Sequence, residues 1–280
     1  MQEKVILSLS TIPPRFGMLG KSLNSLINQK RRADEIHVYV PKIYRRFPEH
    51  TFSKPEVPEG VSIKIVDTDY GPATKVLPCA LEHRGTNVRI IYGDDDRFAD
   101  ISWLDEIMQC SNERPEDVVV SAGMTLQNYG LTVKTQNLSP RAKRKKVKFD
   151  LNYLTKRFRQ KTLEIITKKS QIKPARCNYV SSGYVDFALG LGGVSVRPDF
   201  FDDKFFEIPD VLWAVDDIWL SGNFMRQGRG IWASNKIKMP VDTGAGNISG
   251  LAHSKIEGHD RFNADTLCIS YMKNEYGIWK

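Results

Sequence analysis

The sequence predicts an α/β fold in which helices flank a mostly parallel central sheet. Short apolar runs typical of strands alternate with helix-like runs over the first 125 residues, which is the pattern of an α/β sheet. The chain has 280 residues, of which 41% are hydrophobic, so it is long enough to bury a full core. No apolar run approaches the roughly 20 residues that a membrane-spanning helix needs.

In the first half of the chain, predicted strands alternate with predicted helices. The helical signal is the spacing of apolar side chains, as at Leu19, Leu23 and Leu26. The strand signal is a short apolar run bounded by turn residues, such as Pro41 after the second strand. The predicted strands cover residues 5–10, 35–40, 61–66, 88–92 and 117–122, and the predicted helices cover 19–28, 73–82 and 103–109.

The second half gives weaker signals. Residues 185–196 are apolar and interrupted by glycines, which fits either a strand with a tight loop beside a ligand or a Gly-rich turn between two strands. A helix is predicted over residues 216–227, with Ile218, Leu220 and Phe224 facing inward and glycines after its end. The tail from residue 233 to 280 is expected to be rich in loops.

The four cysteines do not suggest a structural framework. They are far apart and form no CxxC pair, at positions Cys79, Cys110, Cys177 and Cys268. The spacing therefore predicts neither a zinc site nor a disulfide network. The chain also runs directly into its first strand without the pattern of a signal peptide. A reduced, cytoplasmic protein is the expectation.

Three consecutive carboxylates, Asp94, Asp95 and Asp96, follow the predicted strand 88–92. Adjacent like charges repel one another, and a divalent cation relieves that repulsion because Mg²⁺ and Mn²⁺ prefer oxygen ligands. The carboxyl ends of strands are also where open α/β sheets bind ligands. The alternative is that one aspartate caps the helix that begins near Asp100 while the others are solvated.

Three further segments are predicted to converge on the same edge of the sheet. Residues 10–15 (Ser-Thr-Ile-Pro-Pro-Arg) follow the first strand, and their Arg15 can pair with phosphate. In residues 67–75, a Gly-Pro turn opens a helix beside Lys75, where an anion can bind. Asp216 and Asp217 begin the later helix; one is expected to cap it and the other to serve as a general base.

The order of these motifs resembles that of GT-A-fold glycosyltransferases of the bacterial surface-polysaccharide type, and in particular of inverting family-2-like enzymes. The resemblance rests on Ser-Thr-Ile-Pro-Pro-Arg, Gly-Pro-Ala-Thr-Lys, a strand followed by Asp-Asp-Asp, a Gly-rich segment, and Asp-Asp-Ile-Trp. It covers most of the chain except the basic segment 134–176. It implies one GT-A-like domain over residues 1–280, with a nucleotide-sugar-binding half (1–125), a basic insertion (134–176) and an acceptor and catalytic half (177–280).

The resemblance also implies roles for individual residues. Asp94 and Asp96 match the DxD pair of the family, so Asp96 is expected to bind Mn²⁺ or Mg²⁺, and Asp94 to contact the donor ribose or the metal. Asp217 or Asp216 matches the catalytic carboxylate of inverting members. A late histidine often completes the metal shell, and His253 is preferred to His259. The remaining donor-binding residues would be Thr11, Pro13, Arg15, Asp67, Lys75 and Asp95.

The positive charge of the chain is concentrated in one segment. Residues 134–176 contain fifteen Lys or Arg and two acids, for a net charge of +13, whereas the whole chain carries +8. Its interleaved apolar residues predict a partly helical insertion. The segment favours an anionic membrane surface or an acidic acceptor as partner, although a solvated insertion that orders over the donor is also consistent. Nucleic acid is disfavoured because no recognition motif is present.

The resemblance, together with these observations, implies a metal-dependent glycosyltransferase that moves a sugar from a nucleotide-diphosphate sugar to a glycan or lipid-linked acceptor, with inversion, in surface polysaccharide synthesis. It would be cytoplasmic, with a peripheral position on the inner membrane face. The alternatives are a retaining GT-A enzyme, a sugar nucleotidyltransferase and a non-catalytic protein that binds polyanions or membranes. A nucleotidyltransferase is expected to open with a Gly-rich phosphate loop, and residues 10–15 contain no glycine.

Overall fold

A computed structural model describes residues 3–131, 138–250 and 260–279. Within these ranges the chain forms sixteen strands, half of which belong to one central sheet. In chain order the strands are β1 Lys4–Ser10, β2 Glu35–Pro41, β3 Ser62–Val66, β4 Val88–Tyr92, β5 Arg97–Phe98, β6 Val118–Val120, β7 Gly123–Met124, β8 Lys143–Arg144, β9 Arg176–Cys177, β10 Tyr179–Ser181, β11 Gly183–Val185, β12 Phe187–Ala188, β13 Val194–Val196, β14 Ile231–Ala233, β15 Lys238–Met239 and β16 Val241–Asp242.

The α-helices of the described chain are α1 Gly20–Ile27, α2 Leu77–Glu82, α3 Trp103–Glu113, α4 Leu151–Thr167, α5 Asp216–Arg226 and α6 Arg261–Tyr276. Short 3₁₀ helices occupy Pro13–Met18, Gly71–Lys75, Leu126–Tyr129, Val147–Phe149, Gly190–Gly192, Pro198–Phe200, Asp203–Phe206, Asp210–Leu212 and Ala245–Asn247. None of the described helices is both long and apolar enough to cross a membrane.

The central sheet has the strand order β11-β14-β6-β13-β4-β1-β2-β3. Its strands β1 to β4 are mutually parallel, β6 and β14 share their direction, and β13 and β11 run the opposite way. Strand β4 is buried along its whole length, as expected for a parallel strand covered on both faces. The predicted α/β class with a mostly parallel sheet is confirmed.

Two apolar layers sandwich this sheet. On one face, Ile6 and Ile90 pack with side chains of α2, α5 and α6. On the other face, the neighbouring Leu7 and Ile91 pack with side chains of α1 and α3. The alternation follows from the two-residue period of a strand. Because helices cover both faces, ligands can reach the sheet only at its ends or edges.

The predicted helix 73–82 is interrupted. The structure has a 3₁₀ helix at Gly71–Lys75 and a separate helix, α2, at Leu77–Glu82. Pro78 lies at the start of α2 and has no N–H to donate to the preceding turn. The predicted helix is therefore two helices separated at Val76. Lys75 ends the first of them and lies on the side of the predicted site.

The prediction of a loop-rich tail is wrong for its last part, because residues 261–276 form the sixteen-residue helix α6. Asp260 caps this helix by accepting a hydrogen bond from the Asn263 N–H at 2.9 Å, and Gly277 ends it in the left-handed conformation. Its buried residues Asp265, Cys268, Ile269 and Met272 follow helical spacing. Both end signals were present in the sequence.

The Gly-rich segment and the basic insertion also have defined secondary structure. The Gly-rich stretch forms β12, a 3₁₀ turn and β13, so it is a turn between two strands. The described part of the basic insertion contains the seventeen-residue helix α4, which confirms its partly helical character.

The structure also groups one cysteine with two histidines, which the sequence analysis did not predict. The possible ligand atoms of His37, Cys79 and His83 lie within 4.8 Å of one another. However, His37 already has a partner at each ring nitrogen: Nε2 is 3.0 Å from the Glu35 carboxylate, and Nδ1 is 3.4 Å from the Tyr39 hydroxyl. Burial lowers the pKa of His37. We therefore describe the group as a buried polar cluster of the fold.

Candidate functional site

The candidate site is a cavity of about 530 Å³ at the carboxyl end of the parallel strands. Ser10 and Pro41, the last residues of β1 and β2, line it, as does the segment that follows β4. Four segments that are distant in sequence meet here. Eight of the predicted site residues line the cavity: Thr11, Arg15, Lys75, Asp94, Asp95, Asp96, Asp216 and Asp217.

Asp95 connects the loop after β1 to the end of β4. Its two carboxylate oxygens accept hydrogen bonds from the Thr11 hydroxyl at 2.6 Å and from Arg15 Nη1 at 2.7 Å. The side chain is 6% exposed, and burial raises its pKa. Since protein donors already occupy both oxygens, Asp95 positions Thr11 and Arg15 in the wall of the cavity.

Asp96 lies between two guanidinium groups. Arg15 Nη1 is 3.3 Å from one of its oxygens, and Arg97 Nε is 2.9 Å from the other. Burial, followed by the charge of Asp94, raises the pKa of Asp96 to about 6. The N–H and the hydroxyl of Thr243 both donate to its backbone carbonyl, at 2.9 and 3.0 Å. The two guanidinium groups lower the pKa of Asp96, but they offset only part of the increase caused by burial and by the charge of Asp94.

Lys75 links the triplet after β4 to the start of α5. Its Nζ is 2.6 Å from Asp94 Oδ1 and 2.8 Å from Asp216 Oδ2, and the residue is 4% exposed. Burial alone would lower the pKa of Lys75, but the carboxylates of Asp216, Asp94 and Asp217 outweigh burial and hold this pKa well above its ordinary value. Lys75 therefore stays charged in the wall of the cavity.

The two aspartates at the start of α5 have different surroundings. The Asp216 side chain is 4% exposed and faces Lys75. The Asp217 side chain is 17% exposed and accepts a hydrogen bond from the Gly190 N–H at 3.0 Å. Burial, followed by the charge of Asp216, raises the pKa of Asp217 to about 7. Asp217 is the better placed of the two to exchange a proton with a ligand near neutral pH.

The turn before β13 fits closely against this charge cluster. A side chain at Gly190 would overlap Lys75 Nζ and would lie 2.9 Å from Asp94 Oδ1. The flanking residues Leu189 and Leu191 line the cavity. A glycine at position 190 is therefore required for the Lys75–Asp94 pair to lie against the backbone.

Helix α6 supplies lining residues that the sequence analysis missed. Arg261 Nη2 is 3.9 Å from both Asp216 and Asp217, and its Nε is 3.1 Å from Asp265. The Tyr129 hydroxyl donates to Asp265 at 2.8 Å. The signal that could have found these residues is the helix start at Asp260, which places Arg261 at the first turn of α6.

Some predicted residues lie elsewhere. Asp67 is directed away from the cavity, with its side chain 83% exposed and paired with Lys42; Asp69, two residues later, lines the cavity instead. Burial raises the pKa of Asp69. Pro13 begins the 3₁₀ helix after β1 but is not a lining residue. His253 and His259 lie outside the described residues.

The oxygen ligands of the cavity fit a hard divalent cation. The described lining residues include eight carboxylates but only five Lys or Arg, which leaves three negative charges uncompensated at full ionisation. The carboxylates are Asp69, Asp94, Asp95, Asp96, Asp216, Asp217, Asp242 and Asp265. Mn²⁺ and Mg²⁺ prefer such ligands. Asp94 and Asp96 are the members of the triplet whose oxygens are not all held by hydrogen bonds from the protein.

Comparison with solved structures finds matches of low sequence identity and low TM-score. Residues 1–349 of S. aureus TarS, in complex with UDP, share 14% identity, with 84% of this chain and 59% of that chain covered and a TM-score of 0.41. Another crystal structure of S. aureus TarS shares 12% identity, with 99% and 44% covered and a TM-score of 0.44. The present chain thus spans less than two thirds of either structure. No protein-family model and no curated protein matches the sequence.

Proposed function

We propose that this protein is a metal-dependent glycosyltransferase of the GT-A type. It would transfer a sugar from a nucleotide-diphosphate sugar to a hydroxyl of a glycan or lipid-linked acceptor, with inversion, in the synthesis of a surface polysaccharide. The observation that supports this proposal best is the convergence of Thr11–Arg15, Lys75, Asp94–Asp96 and Asp216–Asp217 on one cavity. The motif order of the sequence and the geometry of the cavity are consistent with the same chemistry.

The nucleoside diphosphate is proposed to bind along the ends of β1, β2 and β4. Tyr44 and Phe47 give this part of the cavity flat apolar surfaces, and Asp69 gives it a carboxylate; together these suit a base and a ribose. Arg15 lies at the same end and carries the charge that a phosphate needs. Its position is fixed by Asp95, as described above.

Mn²⁺ or Mg²⁺ is proposed to bind Asp94 and Asp96. When bound, the ion supplies positive charge that stabilises the departing diphosphate. Lys75 stays charged beside Asp94 and contributes in the same direction. The excess of carboxylates in the cavity supports this assignment, because an anionic donor would otherwise meet uncompensated negative charge.

Asp217 is proposed as the general base. Its pKa of about 7 leaves a fraction of the carboxylate ionised near neutral pH and able to accept the proton of an acceptor hydroxyl. Asp216 is held by Lys75 at 2.8 Å and serves to position that lysine. A single base that activates the acceptor favours inversion over retention, because the attack then comes from the face opposite the leaving group.

The test begins with nucleotide binding. UDP, GDP, dTDP and CMP are each added with Mn²⁺ or with EDTA, and the melting temperature is measured; a ligand that binds only the folded state raises it. Hydrolysis of the matching nucleotide sugars is then assayed. We expect one nucleotide to stabilise the protein in a metal-dependent manner and its sugar to be hydrolysed. The Asp96→Asn variant should lose the metal-dependent increase in melting temperature. The Asp67→Asn variant, whose substitution lies outside the cavity, should behave like the wild type.

Two results would overturn the proposal. The first is that no nucleotide raises the melting temperature with either ion and no donor is hydrolysed, which would favour a non-catalytic binding protein. The second is an Asp96→Asn variant that keeps the full metal-dependent stabilisation. With a productive donor and acceptor, the anomeric configuration of the product then separates inversion from retention.

A further inference from the structure

Helix α4 presents its polar side to the segment that follows it. Gln160 is its one buried residue among those described, and its side-chain amide donates to Glu164 Oε1 and to the backbone carbonyl of Gln171, both at 2.9 Å. Glu164 in turn accepts a hydrogen bond from the Gln171 N–H at 2.9 Å. The helix is thus attached through polar contacts to the segment that follows it, whereas a surface helix ordinarily packs through its apolar side.

The outer side of α4 is apolar. Leu151, Phe158 and Ile165 are 76%, 74% and 78% exposed, and Leu154 is 40% exposed. At 3.6 residues per turn these four side chains project within an arc of about 60°. Ile166, on the adjoining part of the surface, is 70% exposed. Single exposed apolar residues are ordinary, but a continuous exposed stripe marks a surface that another body covers.

Basic residues border this stripe. Lys161 lies beside Leu154 on one flank, and Arg159 lies beside Ile166 on the other, given the helical geometry. The described residues 138–176 contain fourteen Lys or Arg against Asp150 and Glu164, a net charge of +12. Within the described chain, three of these fourteen cations make ion pairs, namely Arg141, Lys145 and Arg176. Arg144 and Arg157 hydrogen-bond to neutral groups. Among the described residues, the other nine make neither an ion pair nor a side-chain hydrogen bond: Lys143, Lys146, Lys148, Lys156, Arg159, Lys161, Lys168, Lys169 and Lys173.

We propose that α4 docks on the surface of an anionic lipid bilayer. The helix would lie in the plane of the interface, with Leu151, Phe158 and Ile165 among the acyl chains and the flanking lysines and arginines at the phosphate groups. A second copy of the chain would place +12 against +12 across the same surface, which charge repulsion opposes. A nucleic acid would match the charge but would leave the apolar stripe without a partner.

This inference goes beyond the proposed activity and does not depend on it. The cavity lining contains no residue of α4, so nucleotide binding without vesicles tests the site alone. Nucleotide binding without vesicle binding would leave the proposed activity intact and overturn only the membrane inference. Vesicle binding without nucleotide binding would do the reverse.

The experiment is flotation of the full chain with vesicles of phosphatidylcholine alone or mixed with phosphatidylglycerol. We expect binding to the anionic vesicles only, weakened by salt. The double variant Phe158→Ser/Ile165→Ser should weaken it by about tenfold or more without lowering the melting temperature, since both side chains are exposed. Leu81→Ser, which changes an exposed leucine of α2 (51% exposed), is the matched control and should bind like the wild type.

A charge variant, Arg159→Glu/Lys161→Glu, should also lose binding to the anionic vesicles. The proposal is overturned if wild-type protein binds neither vesicle or binds both equally, or if the Phe158→Ser/Ile165→Ser variant still binds like the wild type. It is also overturned if the wild type does not bind vesicles but forms a dimer that this double variant converts to a monomer, because the occupant of the stripe would then be a second copy.

Discussion

At the scale of single residues, the adjacent aspartates Asp216 and Asp217 have different neighbours, and these neighbours suit them to different roles in the cavity. Asp216 and Asp217 are chemically identical and both begin α5. The Asp216 side chain is turned toward the buried ammonium of Lys75. Asp217 instead meets the Gly190 N–H and keeps a more exposed side chain. The sequence left the choice between them open, because both residues satisfy the same helix-start pattern.

We predict opposite effects for the two amide variants. Asp216→Asn removes one of the two carboxylates that lie within 3 Å of Lys75 Nζ and should lower the free energy of unfolding by about 2 kcal/mol. Asp217→Asn should retain stability but lose most of the turnover, because an amide cannot accept the acceptor's proton. Urea unfolding and initial rates at saturating donor measure the two effects. If both variants keep wild-type turnover, Asp217 is not the base.

At the scale of elements, the turn before β13 is as important to the cavity as the residues that carry charge. Gly190 has no side chain to separate the backbone from Lys75 and Asp94. The Gly-rich pattern was consistent with either a tight loop beside a ligand or a turn between two strands, and only the structure shows which groups lie against this backbone. The group in contact is the ion pair of the protein itself.

We predict that Gly190→Ala lowers stability by about 1–3 kcal/mol, as expected for an overpacked buried position. The added methyl group would have to displace Lys75 and Asp94, so nucleotide-dependent stabilisation should fall as well. Gly20→Ala is the control: nothing lies within 4 Å of a side chain at that position, and it opens α1. It should raise stability slightly through helix propensity. Equal unfolding midpoints for both variants would contradict the role given to Gly190.

Elements with strong local signals were predictable from the sequence, and those that depend on tertiary contacts were not. Strands β1 to β4 are rich in Val, Ile and Leu, and their observed bounds differ from the prediction by at most one residue at either end. Helix α6 was missed although Asp260 and Gly277 mark its ends, since its buried side includes Asp265 while Phe262 and Leu267 are exposed, so its sequence shows no clear apolar face. Its Arg261 was therefore absent from the predicted site.

Among the site residues as well, those that follow a strong local signal were predictable and those that depend on tertiary contacts were not. The Asp triplet and Lys75 were found because each follows a clear strand or turn signal. Asp67 was expected near the donor, whereas the structure directs its side chain away from the cavity and places Asp69 in the lining. Which of two residues on a loop faces a cavity depends on tertiary contacts that the local sequence does not encode. In the structure, Asp69 is held by the N–H groups of Arg45 and Gly71, both at 2.8 Å, and its carbonyl by Trp213 Nε1 at 2.9 Å.

At the scale of the whole molecule, the cavity gathers carboxyl groups whose pKa values burial shifts upward. The pKa of Asp96 is raised to about 6 and that of Asp217 to about 7, and burial also raises the pKa of Asp95. Groups with this shift bind protons more tightly in the folded state than in the unfolded state. Their contribution to stability is present at low pH and is lost as the pH rises through their folded pKa values.

We therefore predict that the contribution of these carboxyls to the stability of the ligand-free protein falls between about pH 4 and pH 7, the window set by their unfolded and folded pKa values. Asp217→Asn should flatten the upper part of this decline, because an amide does not ionise. The free energy of unfolding of the variant should therefore increase relative to that of the wild type as the pH rises from about 5 to 8. Urea unfolding of both proteins across this range measures the difference. The opposite trend, with the wild type gaining on the variant toward pH 8, would show that Asp217 is stabilised as a carboxylate and would remove the basis for its assignment as the base.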